Sequence, residues 1–228
     1  LLSWGLSRPI SFLKIRIKMN CLGISSTWHK IWISNDMRYI LSFIVSLLFI
    51  GNMLAQVKKV DIDIYGEFEV VIKVSNGYVT INNLGKIVDI DINGLTDYHI
   101  IGSKAGKVQS VGSIYFDYYI AGARQGKLKQ IGNIFLDYYI VGSREGKLAT
   151  VGNTNFNYYI LGDSEGKLAS VALTQVAYYS IGSSEGKVES IGNNRFDYHI
   201  TGSGEGKFQS GNRSAVYDGI RYRLRGGY

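Results

Sequence analysis

Proline, cysteine, tryptophan and methionine are scarce in this 228-residue chain, and what little there is sits at one end. Pro9, Cys21, Trp4, Trp28, Trp32, Met19, Met37 and Met53 are the whole complement, and none falls after residue 53. The rest of the chain therefore has no disulfide, no thiolate nucleophile and no cysteine-ligated metal. Cys21 is not read as a lipid anchor, because Ile17-Lys18-Met19-Asn20 ahead of it is too charged to end an apolar signal core.

An excess of one charge sign is also missing where it would matter. The formal net charge is +7, which on its face suggests phosphate binding. Residues 1–55 hold six basic groups and one acid, so they account for +5, and the remaining 173 residues carry only +2. A nearly neutral body argues against nucleic acid as a partner.

Long hydrophobic runs are limited to one. Met37 is followed by Arg38, then by an apolar stretch from Tyr39 to Ile50 broken only by Ser42 and Ser46, then by Gly51-Asn52-Met53-Leu54-Ala55. Charge, short apolar core and small-residue end are the layout of a secretory signal peptide. We expect residues 37–55 to be a signal-peptide helix, cleaved after Ala55, and the protein to be exported to the periplasm, cell surface or exterior. An uncleaved anchor is the alternative, although Tyr39 to Ala55 gives 17 residues, at the bottom of the spanning range of about 17–25. Membrane contact is expected only through this segment. Residues 1–36 precede a complete signal peptide and are read as an upstream extension, disordered or not translated; a basic membrane-surface segment is the other reading.

What is abundant is repetition. Gly-Lys recurs at 85–86, 106–107, 126–127, 146–147, 166–167, 186–187 and 206–207, an interval of 21 followed by five of 20. Each unit resembles Gly-Lys-Leu-x-x-Ile-Gly-Asn-x-x-φ-Asp-Tyr-Tyr-Ile-x-Gly-Ser-x-Glu, φ being apolar or aromatic. Val, Ile, Tyr and Phe between glycine-rich breaks form strands rather than helices. The longer strand is expected from about Phe116 to Ala121, and the shorter from Lys127 to Ile131. Gly132-Asn133 suits a tight turn, and Gly142 to Gly146 a longer loop. The fold class expected is all-β: 20-residue β-hairpin repeats in an elongated antiparallel meander over residues 85–210, with a β-solenoid as the alternative.

The ends read as caps. Val60–Ile64 and Val70–Val74, with a turn at Asn76-Gly77, belong to N-terminal capping strands over 56–84. In the C-terminal cap, 211–228, Ile220 to Arg225 alternates apolar with cationic, as an edge strand that avoids foreign pairing does.

At Tyr-Tyr-x-x-Gly-x-x-x-Gly-Lys-Leu segments such as Tyr138 to Leu148, by way of Gly146-Lys147, the chain resembles YD (RHS-type) repeats over about residues 97–207. It is also similar to secreted short-repeat proteins of bacteria that have no assigned activity. Here Asp precedes Tyr, as in Asp137-Tyr138, and the Tyr-to-Gly spacing is longer than in that family. The resemblance implies a shell of β-hairpins that binds or encloses something, as architecture only.

Catalytic chemistry needs singular groups in a rigid site, and this sequence distributes its polar groups by repetition. His99 and His199 occupy Tyr positions and read as aromatic spacers. Asp89-Ile90-Asp91-Ile92-Asn93-Gly94 opens like a calcium loop, but its twelfth position is Ile100 rather than Glu, so it reads as an amphipathic strand. No catalytic residue, metal site or cofactor is expected. The Lys ladder, Lys86 to Lys207, is expected to pair across strands with Glu145, Glu165, Glu185 and Glu205.

The binding candidates are the paired tyrosines. Alternation puts Phe116, Tyr118 and Ile120 on one face and Asp117, Tyr119 and Ala121 on the other. Tyr119, Tyr139, Tyr159 and Tyr179 would then form a flat row able to stack on sugar rings or a partner's apolar surface. The function expected is a non-catalytic exported repeat scaffold or binding protein of the cell envelope or exterior, its partner a glycan, the cell wall or another envelope protein. An outer-membrane β-barrel is the alternative, suggested by Ile220, Tyr222 and Leu224 alternating toward a terminal Tyr228. Its weakness is strand length, since such barrels use about nine to eleven residues per strand.

Overall fold

The computed structural model describes residues 56–226. The expected upstream extension and signal peptide lie outside the described residues, as do the last two positions. The described chain is all-β and opens with four strands, β1 (Val57–Asp63), β2 (Phe68–Val74), β3 (Gly77–Asn82) and β4 (Ile87–Ile92). An array of short strands follows: β5 (Thr96–Tyr98), β6 (Val108–Val111), β7 (Ile114–Tyr118), β8 (Leu128–Ile131), β9 (Ile134–Tyr138) and β10 (Leu148–Val151). It continues through β11 (Thr154–Tyr158), β12 (Leu168–Val171), β13 (Thr174–Tyr178), β14 (Val188–Ile191) and β15 (Asn194–Arg195). The chain ends with β16 (Asp197–Tyr198), β17 (Phe208–Ser210), β18 (Ser214–Tyr217) and β19 (Ile220–Arg225).

β5 to β15 pair in sequence order, each antiparallel to the next, as one 11-stranded meander; β16 and β17 continue the pattern as a separate pair. The meander, rather than the solenoid, is therefore the architecture. Neither it nor the six-stranded sheet described below closes into a barrel, because each ends in unpaired outer strands.

One device recurs in every unit. In the short strand β8, Leu128 lies opposite Tyr118 while Gln130 lies opposite Asp117, so Lys129 is an extra residue, a β-bulge. The bulge turns Leu128 and Ile131, three positions apart, onto the same face, and both are buried. Leu148 and Val151, Leu168 and Val171, and Val188 and Ile191 repeat this spacing and burial. Each such buried aliphatic contributes about 1.5–3 kcal/mol. Phe116, Phe156 and Phe196 share the inner face with Tyr118, Tyr158 and Tyr198, as alternation requires.

The hairpin turn is Gly132-Asn133, with Gly132 at φ +56. Alanine replaces that glycine once, at Ala172, and is held at φ +50, a conformation that costs an L-residue about 1–2 kcal/mol.

The first and last strands of the described residues form a single sheet. Its order is β18-β19-β1-β2-β3-β4, and β1 and β19 pair in parallel, Val60 opposite Tyr222 and Ile62 opposite Leu224. This sheet lies on the array and shares one core with it. Phe68 stacks on Phe156 with ring centres 5.5 Å apart and planes within 2°. At the loop end, the Leu148 N–H donates to the Asn83 carbonyl and the Val188 N–H to the Ile64 carbonyl, both at 2.8 Å. At the turn end the repeats follow the strand order of the sheet. Gly112 lies against Gly94, just after β4; Gly152 against Gln56, just before β1; and Gly192 against Tyr217 in β18.

Several expectations change. The long strand of the repeat runs Ile114–Tyr118 rather than Phe116 to Ala121, because the chain turns away once Tyr118 has filled the core, and Ile120 is exposed rather than buried. The hairpin of β2 and β3 turns at Ser75-Asn76, with Gly77 already opposite Val74. β19 is not an edge strand: β18 covers one side and β1 the other. Its cations instead meet acids across strands, Arg223 with Asp61 and Arg225 with Glu69. Asp89 and Asp91 lie on β4, an ordinary strand.

Candidate functional site

Functional side chains gather around six equivalent loops, 99–107, 119–127, 139–147, 159–167, 179–187 and 199–207. Each is closed by main-chain bonds: in the second, the Tyr119 N–H donates to the Lys127 carbonyl and the Gly126 N–H to the Tyr119 carbonyl. The tyrosine of the candidate row is thus the first loop residue, not part of the strand.

That placement decides what the row does. Tyr119, Tyr139, Tyr159 and Tyr179 are half-buried, and their hydroxyls donate forward to the next repeat. The acceptors are the carbonyls of Leu136, Phe156, Val176 and Phe196, at 3.0, 3.1, 2.9 and 2.8 Å. Each ring also meets the next core tyrosine edge-on, as Tyr139 meets Tyr158 with centres 5.8 Å apart and planes at 86°. His99 stands edge-on to Tyr118 in the same way. The four tyrosines do form a row, but as couplings between repeats rather than the flat open platform expected. A strand that ends at Tyr118 no longer holds residue 119 to strict alternation.

The lysine ladder is internal as well. Lys127 donates to the Gly146 carbonyl at 2.7 Å while lying 5.0 Å from the centre of the Tyr138 ring. Lys107, Lys147, Lys167 and Lys187 make the equivalent pair of contacts, with the glycine carbonyl 19 residues on and the core tyrosine ring of the next repeat. Burial, with Lys86 nearby, lowers the Lys127 pKa. The expected pairing with Glu145, Glu165, Glu185 and Glu205 does not occur; among the described residues none of these acids forms an ion pair. One intervening glycine points the two side chains apart, and a cation beside a tyrosine face gains both a ring and a carbonyl.

A second cation in the loop covers the aspartate of the next strand. Lys104 pairs with Asp117, and Arg124 with Asp137 at 2.8 Å. Burial acts to raise the Asp117 pKa, but hydrogen bonds from Lys104, Lys129 and the Tyr118 N–H outweigh it and hold the carboxyl below its usual value.

The fourth to sixth repeats lack this cation, having Ser164, Ser184 and Gly204 at the position of Lys104 and Arg124, and the fifth combines that loss with Ser180 where Ile100, Ile120, Ile140, Ile160 and Ile200 stand. The short side chains leave an open cleft of about 640 Å³ between the fifth and sixth repeats, bordered by Tyr179, Ser184, Glu189, Arg195, Asp197 and Gln209. Asp197 accepts from the Ser210 hydroxyl at 3.0 Å and from the Tyr179 hydroxyl at 3.4 Å. Arg195 pairs with Glu189 at 3.0 Å. Burial raises the Tyr179 pKa. Of the predicted tyrosines, the cleft takes in Tyr179 alone. Reading the repeat by its consensus overlooks the other lining residues; the signal for them is the pair of departures at Ser180 and Ser184.

Among the described residues, no three His, Cys, Asp or Glu side chains come together to hold a metal. Comparison of the chain with protein-family models, curated proteins and solved structures gives no match.

Proposed function

We propose that this protein is a non-catalytic, exported scaffold of the cell envelope or exterior, and that it holds a glycan in the cleft between its fifth and sixth repeats. Export rests on the segment from Met37 to Ala55. The scaffold character rests on the repeated Tyr and Lys side chains, which spend their polar atoms on the neighbouring repeat.

The observation that carries the binding reading is the cleft. Two tyrosines, two carboxylates, a guanidinium, an amide and several hydroxyls converge there, and sugars are recognised by such planar donors and acceptors beside an aromatic ring. The acids are already engaged, Glu189 by Arg195 and Asp197 by Ser210 and Tyr179, an arrangement that orients a ligand rather than supplying a free general base.

Ser184→Arg tests this directly, since it restores the cation that meets the aspartate in the second repeat and fills the cleft. Retention on insoluble cell-wall polysaccharide should fall at least tenfold, with the melting temperature unchanged or raised. If the variant is retained as well as the parent protein, the cleft is not the site.

A further inference from the structure

The two residues that follow each paired-aromatic position point outward, and most are aliphatic. Ile100, Ile120, Ile140, Ile160 and Ile200 occupy the first position and are 88%, 63%, 47%, 56% and 70% exposed. Ile101, Val141, Leu161 and Ile181 occupy the second, with exposures from 68% to 81%. Successive loops touch, since Lys127 reaches Gly146, Lys167 reaches Gly186, and the Ser183 hydroxyl approaches the Ile200 carbonyl at 3.5 Å. The aliphatic side chains therefore run as one row along the loop edge. Together they expose on the order of 1,000 Å², beyond the roughly 300–600 Å² of the largest patch on an ordinary monomer. That also matches the ~800 Å² each partner contributes to a stable interface.

The charges beside the row identify the occupant. The first two loops carry Lys104 and Arg124 and no acid, with Ala105 and Gln125 at the glutamate position. The third carries Arg144 and Glu145. The fourth, fifth and sixth carry Asp163 and Glu165, Glu185, and Glu205, with Ser164, Ser184 and Gly204 at the cation position. Turning a second chain about a twofold axis between the third and fourth loops sets the first loop against the sixth, the second against the fifth and the third against the fourth. Every one of these pairings brings a cation to an acid. A parallel arrangement would set acids against acids over half the row, which is costly.

We propose that the protein pairs with a second copy of itself, antiparallel, through this loop edge, burying the aliphatic row and matching its basic end to its acidic end. The interface is isologous, as twofold dimers are. Lys104 and Arg124 already hold aspartates, so the central contact of Arg144 with Asp163 and Glu165 does most to set the register. Arg144 lies 4.0 Å over the Tyr139 ring and has no acidic partner among the described residues.

Sedimentation velocity on the natural protein and its variants tests this. The parent should be dimeric at tens of micromolar. Arg144→Glu and Glu165→Arg should each weaken the dimer at least tenfold, and so should Leu161→Glu, while circular dichroism and melting temperature stay unchanged. An equimolar mixture of the two charge variants should recover a dimer, because each chain then meets its opposite sign at both contacts. A parent that is monomeric at 100 µM, or a mixture no more associated than either variant alone, would overturn the proposal. Ile181 and Ile200 belong to both the row and the cleft, but Arg144, Leu161 and Glu165 line no part of the cleft, so these variants break the dimer without altering the glycan site and the two readings fail separately.

Discussion

Arg223, near the C-terminus, grips Asp61, near the start of the described chain, through two hydrogen bonds of 2.9 and 2.7 Å. The pair spans 162 residues and bridges β1 and β19, which run parallel. Asp61 is nearly buried, with 6% of its side chain exposed, while Arg223 is half in solvent. Removing the acid strands this guanidinium and the Lys59 ammonium, which also meets Asp61 at 2.7 Å, and takes one side-chain tie from the β1–β19 ladder. Asp61→Ala should cost about 2 kcal/mol, below the 3–5 of a fully buried pair because water still reaches Arg223. Urea unfolding would measure it, and Arg223→Lys, which loses the two-pronged geometry, should cost less.

Equivalent tyrosines should respond unequally to loss of the hydroxyl. Tyr158 donates to the Leu148 carbonyl at 2.9 Å. The Tyr178 hydroxyl, in the same position one repeat later, is buried against Gly66 with no hydrogen-bond partner among the described residues. Tyr158→Phe should destabilise by about 1 kcal/mol, whereas Tyr178→Phe should be neutral or stabilising, because it removes an unsatisfied polar atom. Equal losses in denaturant titrations would refute the distinction.

Ala172 predicts a gain. It sits at φ +50 where the other repeat turns have glycine. Ala172→Gly relieves left-handed strain and loses part of that gain to the greater freedom of the unfolded chain. A net stabilisation of about 0.5–1 kcal/mol should appear as a raised melting temperature.

Alkali should unfold the protein steeply. Burial pushes Tyr118 and Tyr222 up to about 12, and holds Tyr138, Tyr158, Tyr178 and Tyr198 above their ordinary value as well. A raised folded-state pKa means the folded protein keeps a proton that the unfolded chain releases. Stability from these groups is therefore complete below about pH 10 and falls as pH rises above it, by up to ~1.4 kcal/mol per unit for each tyrosine. Because exposed tyrosines such as Tyr115 add absorbance of their own, the readout is a rise in phenolate absorbance that coincides with the loss of circular dichroism above pH 10. If no part of the absorbance change accompanies the loss of circular dichroism, the buried tyrosines do not drive the unfolding.

Much of the array is legible in the amino-acid sequence because its signals are local. The 20-residue period, the Gly132-Asn133 turn and the inward run of Phe116 and Tyr118 each depend on a few neighbouring residues and on strand alternation. Those favour an antiparallel meander, while the main-chain pairing is what separates it from a solenoid. The Leu128-x-x-Ile131 spacing was equally visible, but it gains its meaning only from the bulge at Lys129, which exists relative to a partner strand.

What tertiary structure alone decided is everything that required a second repeat or the other end of the chain. The hydroxyl of Tyr139 and the ammonium of Lys127 find main-chain carbonyls 17 and 19 residues away. A residue pattern gives side-chain facing within a strand but not what faces it, so these groups read as surface until the neighbouring repeat is in place. The join of β1 to β19 is further out of reach, since two alternating strands at opposite ends of a chain carry no local mark of pairing in parallel. Sequence by itself determined the strands, their period and their inner face. Packing decided which polar groups are used between repeats, and which residues it leaves outside those contacts, the open cleft beside Ser184 and the exposed aliphatic loop edge among them.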